Sequence, residues 1–204
     1  MRLCFWQEVH PTVRGGAETW LTETMKGLEL LGHTTYWLKD AAIEHAVNTF
    51  KPDVIVIGTI HVFLGLHHVD WLVRNKIPAI WFMHDYWCFC GCSRMLLMER
   101  SFSDVACEAN KGICAGSCGY PPNRVTDLVN QFYVVTGCEP AAEIMRRNGV
   151  DVREAVEEGI DTDLFKPDNE LRDSGRIIYT SAAGDDIWKG FHVLREALIG
   201  TDIE

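Results

Sequence analysis

A glycine loop suited to holding a phosphate stands between the first strand-like segment and the first helix. It reads Gly15-Gly16-Ala17 and is followed by Glu18. Glycines let the backbone adopt positive φ and approach a ligand closely, and the N-terminus of a helix offers N–H groups to an anion. A tight strand-to-helix turn without a ligand also uses glycines, so both interpretations stay open. The spacing differs from G-x-G-x-x-G, which excludes the standard dinucleotide fingerprint.

A second group with catalytic chemistry, His84-Asp85, directly follows the apolar segment that ends at Met83, and Tyr86-Trp87 comes next. In open α/β sheets, ligands bind beyond the carboxyl ends of the strands. A histidine there can hydrogen-bond a sugar hydroxyl or move a proton, and the aromatic pair can form a pocket wall. The alternative is a buried histidine with satisfied hydrogen bonds among core aromatics.

A third candidate, Lys189-Gly190, opens the last helix after a strand and a glycine-containing loop. A lysine at a helix N-terminus suits a diphosphate. The alternative is a solvated surface lysine.

Residues 88–123 hold six cysteines, four glycines and two prolines, and they interrupt the strand and helix pattern as an insertion. Four thiolates can hold a zinc ion tetrahedrally. The metal candidates are Cys90, Cys107, Cys114 and Cys118. Free thiols, disulfides and an iron–sulfur cluster are the alternatives. Cys4 and Cys138 lie beside strands and are predicted to be ordinary buried thiols.

The positioning elements are strands that alternate with helices, which predicts an α/β fold with a parallel sheet covered by helices on both faces. The apolar run Asp53–Gly58 is typical of a strand buried on both sides. The other predicted strands cover Leu3–Trp6, Thr34–Leu38, Pro78–Met83 and Phe132–Thr136. The predicted helices cover Ala17–Leu31, Ala41–Phe50, Leu66–Asn75 and Ala141–Arg147.

The pattern predicts a domain over 1–160, a polar linker over 161–174, and a further strand and helix over 175–204. That last segment is shorter than the ~40 residues that a self-supporting unit usually needs. We expect it to fold back on the first domain, pair with a second copy in a homodimer, or be disordered.

Net charge and the length of the apolar runs indicate which partners and which cellular location to expect. The 204 residues carry a net charge of −10, which disfavours nucleic acid as a partner. No apolar run approaches the ~20 residues needed to cross a bilayer, and the first residues lack the pattern of a signal peptide. We therefore expect a cytoplasmic protein, and peripheral association with a membrane is compatible with this sequence.

Several motifs in register resemble glycosyltransferase family 4, whose members combine two Rossmann-like domains in the GT-B fold. The resemblance covers the chain from the glycine loop to the last helix and is strong because the motifs occur in order. They are Gly15-Gly16-Ala17-Glu18, Gly32-His33, Lys51-Pro52-Asp53-Val54-Ile55, His84-Asp85-Tyr86-Trp87 with the later cysteines, Glu158 to Pro167, and Lys189-Gly190.

The resemblance implies one half of a GT-B fold plus the start of the donor domain. It also implies transfer of a sugar, with retention of configuration, from a nucleotide-sugar donor to a sugar, lipid or protein acceptor. Gly15, Gly16 and Glu18 would lie near the donor phosphates and the acceptor. The catalytic candidates are His84, which would line the sugar site, and Asp85. Lys189 would neutralise the leaving diphosphate, and Gly190 beside it is a further phosphate-binding candidate.

Three departures from the family pattern matter. The arginine usual before the lysine-glycine pair is missing from Ala182–Asp186, Glu158 replaces a common asparagine, and the chain ends before the Glu-x7-Glu segment. We therefore expect weak binding of nucleotide sugars and little or no transfer activity from the 204-residue chain. A non-catalytic binding or adaptor module, stabilised by zinc, is the alternative function.

Overall fold

A computed structural model describes most of the first 159 residues and parts of the remainder. The described residues are 1–7, 15–38, 42–59, 62–90, 125–159, 161–163, 166 and 191–200. They fall into two compact units, Met1–Glu158 and Gly159–Glu204. No described helix is both long enough and apolar enough to cross a membrane.

The first unit contains a parallel sheet of six strands in the order β2-β1-β3-β4-β5-β6. The strands are β1 (Arg2–Trp6), β2 (Thr34–Leu38), β3 (Val54–Ile57), β4 (Ala79–Met83), β5 (Tyr133–Thr136) and β6 (Val152–Ala155). This arrangement confirms the predicted Rossmann-like α/β fold. The strand order reverses between β1 and β3, which is the position where ligands bind in sheets of this class.

Five helices accompany the described strands of this unit, and one lies in the second unit. They are α1 (Gly16–Leu30), α2 (Ile43–Phe50), α3 (Val62–Arg74), α4 (Thr126–Val129), α5 (Glu139–Arg147) and, in the second unit, α6 (Phe191–Leu198). Sequence analysis missed β6 and the single turn α4. The other predicted helices and strands correspond to described ones, except the further strand predicted near the start of 175–204, which lies outside the described residues.

Alternate side chains of the central strands form separate cores on the two faces of the sheet. On one face, Leu3 and Phe5 pack with Leu21 of α1. On the other face, Cys4 and Trp6 belong to a larger core shared with α2, α3, α4 and α5. Helices therefore cover both faces, and the apolar runs of β1 and β3 are explained by burial on both sides.

Helix α1 ends as its sequence predicts. Gly32 adopts a left-handed φ of 84°, which a residue with a side chain adopts at a cost. The amide of His33 donates to the carbonyl of Leu28 at 3.0 Å, so a carbonyl of the last turn is satisfied. This end fixes the direction in which the chain enters β2.

One prediction about the thiols was wrong. Cys4 is buried as expected, but Cys138 is exposed, because it is the residue that precedes α5 at the surface end of that helix. Cys88 and Cys90 are buried. The predicted insertion is described only as far as Cys90, so its cysteine-rich part lies outside the described residues, as does most of the predicted linker.

Candidate functional site at the carboxyl edge of the sheet

Because all six strands run parallel, the residues that follow them lie along one edge. Gln7 follows β1, Gly58 follows β3, His84 follows β4, and Gly137 follows β5. Glu158 lies three residues beyond the end of β6. The carboxyl edge therefore carries an amide, an imidazole and a carboxylate.

The imidazole of His84 is buried among aromatic rings. Its centroid lies 4.7 Å from the ring of Trp20 and 4.8 Å from that of Phe82. Only 10% of the His84 side chain is exposed. Because Trp20 belongs to the second turn of α1, this contact brings the glycine-loop helix and His84 to the same part of the edge.

A buried hydrogen bond fixes the end of the strand that carries His84. The hydroxyl of Thr136 donates to the carbonyl oxygen of Met83 at 3.0 Å. This bond ties the last residue of β5 to the last residue of β4. The backbone that enters His84 is therefore held at a defined position relative to the next strand.

His84 has a carboxylate partner on one side of its ring. Nδ1 lies 3.2 Å from Oε1 of Glu158, at hydrogen-bonding distance. Burial lowers the pKa of His84 to about 4 and raises the pKa of Glu158. Both shifts disfavour ionisation, so the contact at neutral pH joins a neutral imidazole to a carboxylate and is not a full ion pair.

The second ring nitrogen of His84 is buried and has no hydrogen-bond partner among the described residues. A buried polar atom without a partner costs roughly 1–3 kcal/mol. Such an atom is a natural place for a ligand or a bound water molecule to make a hydrogen bond.

The glycine loop differs from the sequence-based interpretation, which invoked positive φ and a bound phosphate: Gly15 instead lies against the side chain of Glu18. Gly15 precedes α1 with φ −116°, and neither Gly15 nor Gly16 has a positive φ. The Glu18 carboxylate folds back on Gly15, where an added Cβ atom would collide with it. Gly15 therefore allows the close approach of this flexible side chain, while a Cβ atom on Gly16 would meet nothing within 4 Å.

Asp85 has a local structural contact. Its Oδ1 accepts a hydrogen bond from the backbone amide of Trp87 at 3.1 Å. This contact shapes the turn that follows β4 and buries Trp87. Asp85 thereby helps to set the position of the chain next to His84, and its catalytic assignment stays a prediction.

The chain matches no model of a known protein family, and no curated protein matches it. Function must therefore be inferred from the side chains at the carboxyl edge.

The edge contains another buried polar group, the side chain of Gln7, which is only 1% exposed. Both atoms of its amide lack a hydrogen-bond partner among the described residues. A Cβ atom added to Gly58 would lie 2.6 Å from Oε1 of Gln7. Gly58 therefore leaves room for this amide at the point where the strand order reverses.

Neither the lysine predicted to bind phosphate nor the complete set of predicted metal ligands falls within the described residues. Lys189, Gly190, Cys107, Cys114 and Cys118 lie outside them. Among the described residues, no group of three His, Cys, Asp or Glu side chains could hold a metal ion. Cys90 is fully buried, and zinc ligation stays a prediction.

Sequence reasoning missed the roles of Trp20, Gln7 and Glu158. The sequence places Trp20 only within the predicted helix Ala17–Leu31, and Glu158 only at a departure from a family motif. The signal that could have found Glu158 is its position shortly after Val152–Ala155, had that segment been identified as a strand. Gln7 could have been singled out as the first polar residue after a buried strand.

Proposed function

We propose that this protein takes part in the transfer of a sugar from a nucleotide-sugar donor to an acceptor, with retention of configuration. The observation that carries the proposal is the buried His84 imidazole at the carboxyl edge of a parallel Rossmann-like sheet, whose Nε2 has no hydrogen-bond partner in the described part of the chain. A site of this kind suits a ligand rich in hydroxyl groups, and aromatic side chains line it. The ordered resemblance to glycosyltransferase family 4 supports the same function.

In this proposal His84 contacts the transferred sugar, and the start of α1 lies near the donor phosphates. Lys189 neutralises the leaving diphosphate, as the resemblance implies, and Gly190 lies beside it as a phosphate-binding candidate. The acceptor is a sugar, a lipid or a protein. The chain would contribute mainly positioning and charge stabilisation, which account for much of the rate enhancement in group transfer.

One observation favours a second candidate, a non-catalytic module that binds a sugar. The Glu18 carboxylate is buried in the first turn of α1, with 7% of the residue exposed. A negative charge there occupies the favourable potential of the helix N-terminus that a phosphate would otherwise use. Such a module would bind hydroxyl groups at His84 without using a diphosphate leaving group.

Calorimetry with UDP-glucose, GDP-mannose and ADP-glucose tests the proposal on the 204-residue chain. We expect weak binding of at least one of them, and a loss of about tenfold in affinity for His84→Ala, because one buried hydrogen bond disappears. His45→Ala is the matched control, since His45 is exposed on α2. Chromatographic detection of released nucleoside diphosphate shows whether the chain also transfers the sugar.

Absence of binding to all three donors would contradict the proposed function. Binding that His84→Ala leaves unchanged would place the site elsewhere on the molecule. Release of nucleoside diphosphate in the presence of sugar acceptors would exclude the non-catalytic module, whereas binding without release fits both candidates because we expect little or no transfer from this chain.

A further inference from the structure

The segment after β6 brings a carboxylate to one nitrogen of His84, and no described residue hydrogen-bonds to the other nitrogen. We propose that Glu158 is a positioning residue that holds His84 in the tautomer with the proton on Nδ1, so that Nε2 accepts a hydrogen bond from a ligand hydroxyl. The assignment of sugar as the ligand rests on the proposed function. The assignment of the tautomer does not depend on the proposed function.

The chemistry of the pair dictates where the proton lies. A neutral imidazole has one N–H donor and one bare nitrogen acceptor, and an ionised carboxylate can only accept. Nδ1 faces Oε1 of Glu158 at 3.2 Å, so the hydrogen bond forms only when Nδ1 carries the proton. The lone pair of Nε2 then points away from Glu158. A hydrogen bond at one ring nitrogen commonly sets the role of the other in this way.

The position of Glu158 is set by the sheet and by a glycine. The amide of Val156 donates to the carbonyl oxygen of Thr136 at 2.8 Å, which extends the pairing of β5 and β6 towards Glu158. The Glu158 side chain then lies against Gly137, where an added Cβ atom would be 3.3 Å from Oε1. A side chain larger than hydrogen at position 137 would push the carboxylate away from its present position.

This geometry selects the chemical class of ligand atom that His84 can bind. A bare nitrogen takes a hydrogen bond from an O–H or N–H group. The oxygens of an ionised phosphate only accept, so they gain nothing from Nε2 in this tautomer. The other ring contacts of His84 come from Trp20 and Phe82, which are aromatic and uncharged. A sugar hydroxyl fits such a position, and a phosphate does not.

Nitrogen NMR of the ligand-free full chain decides the tautomer. Two-bond correlation spectra of 15N-labelled protein distinguish a protonated ring nitrogen from a bare one. The chain has eight histidines, and His84→Gln identifies the His84 signals by their disappearance. At pH 7 the imidazole is neutral, because burial lowers its pKa to about 4. We expect a protonated Nδ1 and a bare Nε2. A proton on Nε2 in the wild-type chain would overturn the proposal.

Two variants test whether Glu158 sets this state. Glu158→Leu should shift the His84 nitrogens towards a mixture of tautomers. Glu157→Leu makes the same chemical change at the exposed neighbouring residue and should leave them unchanged. Gly137→Ala displaces the carboxylate while keeping it, so we expect a smaller change in the same direction. Spectra of folded Glu158→Leu and Gly137→Ala that match the wild type would overturn the positioning role. If both variants fail to fold, the wild-type tautomer decides alone.

Titration with UDP-glucose and with UDP completes the test. We expect the Nε2 signal to move with UDP-glucose and to stay in place with UDP, which lacks the transferred sugar. Movement with UDP alone would overturn the inferred selection for hydroxyl groups. No movement with either, in a chain whose Nδ1 carries the proton, would count against the proposed function and leave the role of Glu158 intact.

Discussion

The His84 and Glu158 side chains illustrate how burial can govern an acid–base pair. A full ion pair would raise the pKa of the histidine and lower that of the carboxyl group. Desolvation instead lowers the first and raises the second. Only 10% of the imidazole side chain is exposed, against 41% of the Glu158 side chain, so the histidine bears the greater loss of hydration. At neutral pH the imidazole is neutral, so the contact is a hydrogen bond and not an ion pair.

The depressed pKa of His84 leads to a prediction about stability. Above the ordinary histidine pKa of 6.5 the imidazole is neutral in both the folded and the unfolded state, so it adds no pH dependence to the free energy of unfolding. As the pH falls from 6.5 towards 4, the unfolded chain takes up a proton at this site and the folded chain does not. The free energy of unfolding should therefore fall in this window, by up to ~3 kcal/mol at this residue.

Urea unfolding of the wild type and of His84→Gln between pH 7 and pH 4 measures this contribution. The variant lacks the titrating ring, so its stability should depend less steeply on pH in the acid range. His68, whose pKa is also lowered by burial, titrates in both proteins and cancels in the comparison. Identical pH dependence in the two proteins would contradict the assigned burial of His84.

Thiol reactivity offers a second prediction at this scale. Burial raises the pKa of both Cys4 and Cys88 to about 12, so neither forms the reactive thiolate near neutral pH. Cys138 is exposed at the start of α5. We expect iodoacetamide to modify Cys138 in the folded protein and to reach Cys4 and Cys88 only after unfolding. Peptide mass spectrometry with and without denaturant reports this, and rapid labelling of Cys4 in the folded state would contradict it.

At the scale of the element, the two glycines at the start of α1 differ in their surroundings. Gly15 is packed against the Glu18 carboxylate, whereas the space around Gly16 is open. A turn without a ligand needs only the first of these glycines. A phosphate-binding loop needs the second as well, because the backbone must be accessible to the ligand.

Alanine substitutions distinguish the two interpretations. Gly16→Ala should leave stability unchanged or raise it by up to ~1 kcal/mol, because alanine favours the helix that begins there. If the loop binds phosphate, the same variant should weaken binding of UDP-glucose. Gly15→Ala should cost about 1 kcal/mol or less, since the flexible Glu18 side chain can move aside. Thermal unfolding and calorimetry measure both effects. Unchanged ligand affinity in Gly16→Ala would favour a plain turn.

At the scale of the whole molecule, the fold could be predicted because the central strands are apolar on both faces. The run Val54–Ile57 cannot be exposed on either side, and helical patterns separate it from its neighbours. The edge strand β6 escaped prediction because Val152–Ala155 is half polar, and an edge strand needs burial on fewer sides. The partner of His84 was missed with it, since Glu158 reaches the imidazole only when β6 extends the sheet.

For the candidate site, the sequence could predict which strand and helix carry its residues, but not the contacts between their side chains. His84 could be found because a polar residue directly follows an apolar strand in a fold that binds ligands there. Its contact with Trp20 depends on how α1 lies across the sheet, which the helical pattern does not specify. The close approach of Glu18 to Gly15 likewise depends on a side-chain conformation. These contacts are decided by packing in three dimensions and leave no periodic signal in the sequence.

The first unit should fold without the rest of the chain. Met1–Glu158 contains all six strands, both cores and the bond between His84 and Glu158. A domain of this length buries roughly 70% of the surface of its unfolded chain, which is enough for independent stability. We therefore expect residues 1–158 to unfold in one cooperative transition and to keep the wild-type His84 nitrogen signals.

A shorter chain, residues 1–150, is the matched control. It removes β6 and Glu158, so β5 becomes an edge strand and Val134 loses the neighbour Val152 with which it is paired. Circular dichroism in urea should show a lower free energy of unfolding for 1–150 than for 1–158, and His84 should lose its preference for a protonated Nδ1. Equal stability and equal nitrogen shifts in the two chains would mean that β6 and Glu158 contribute neither to the sheet nor to the state of His84.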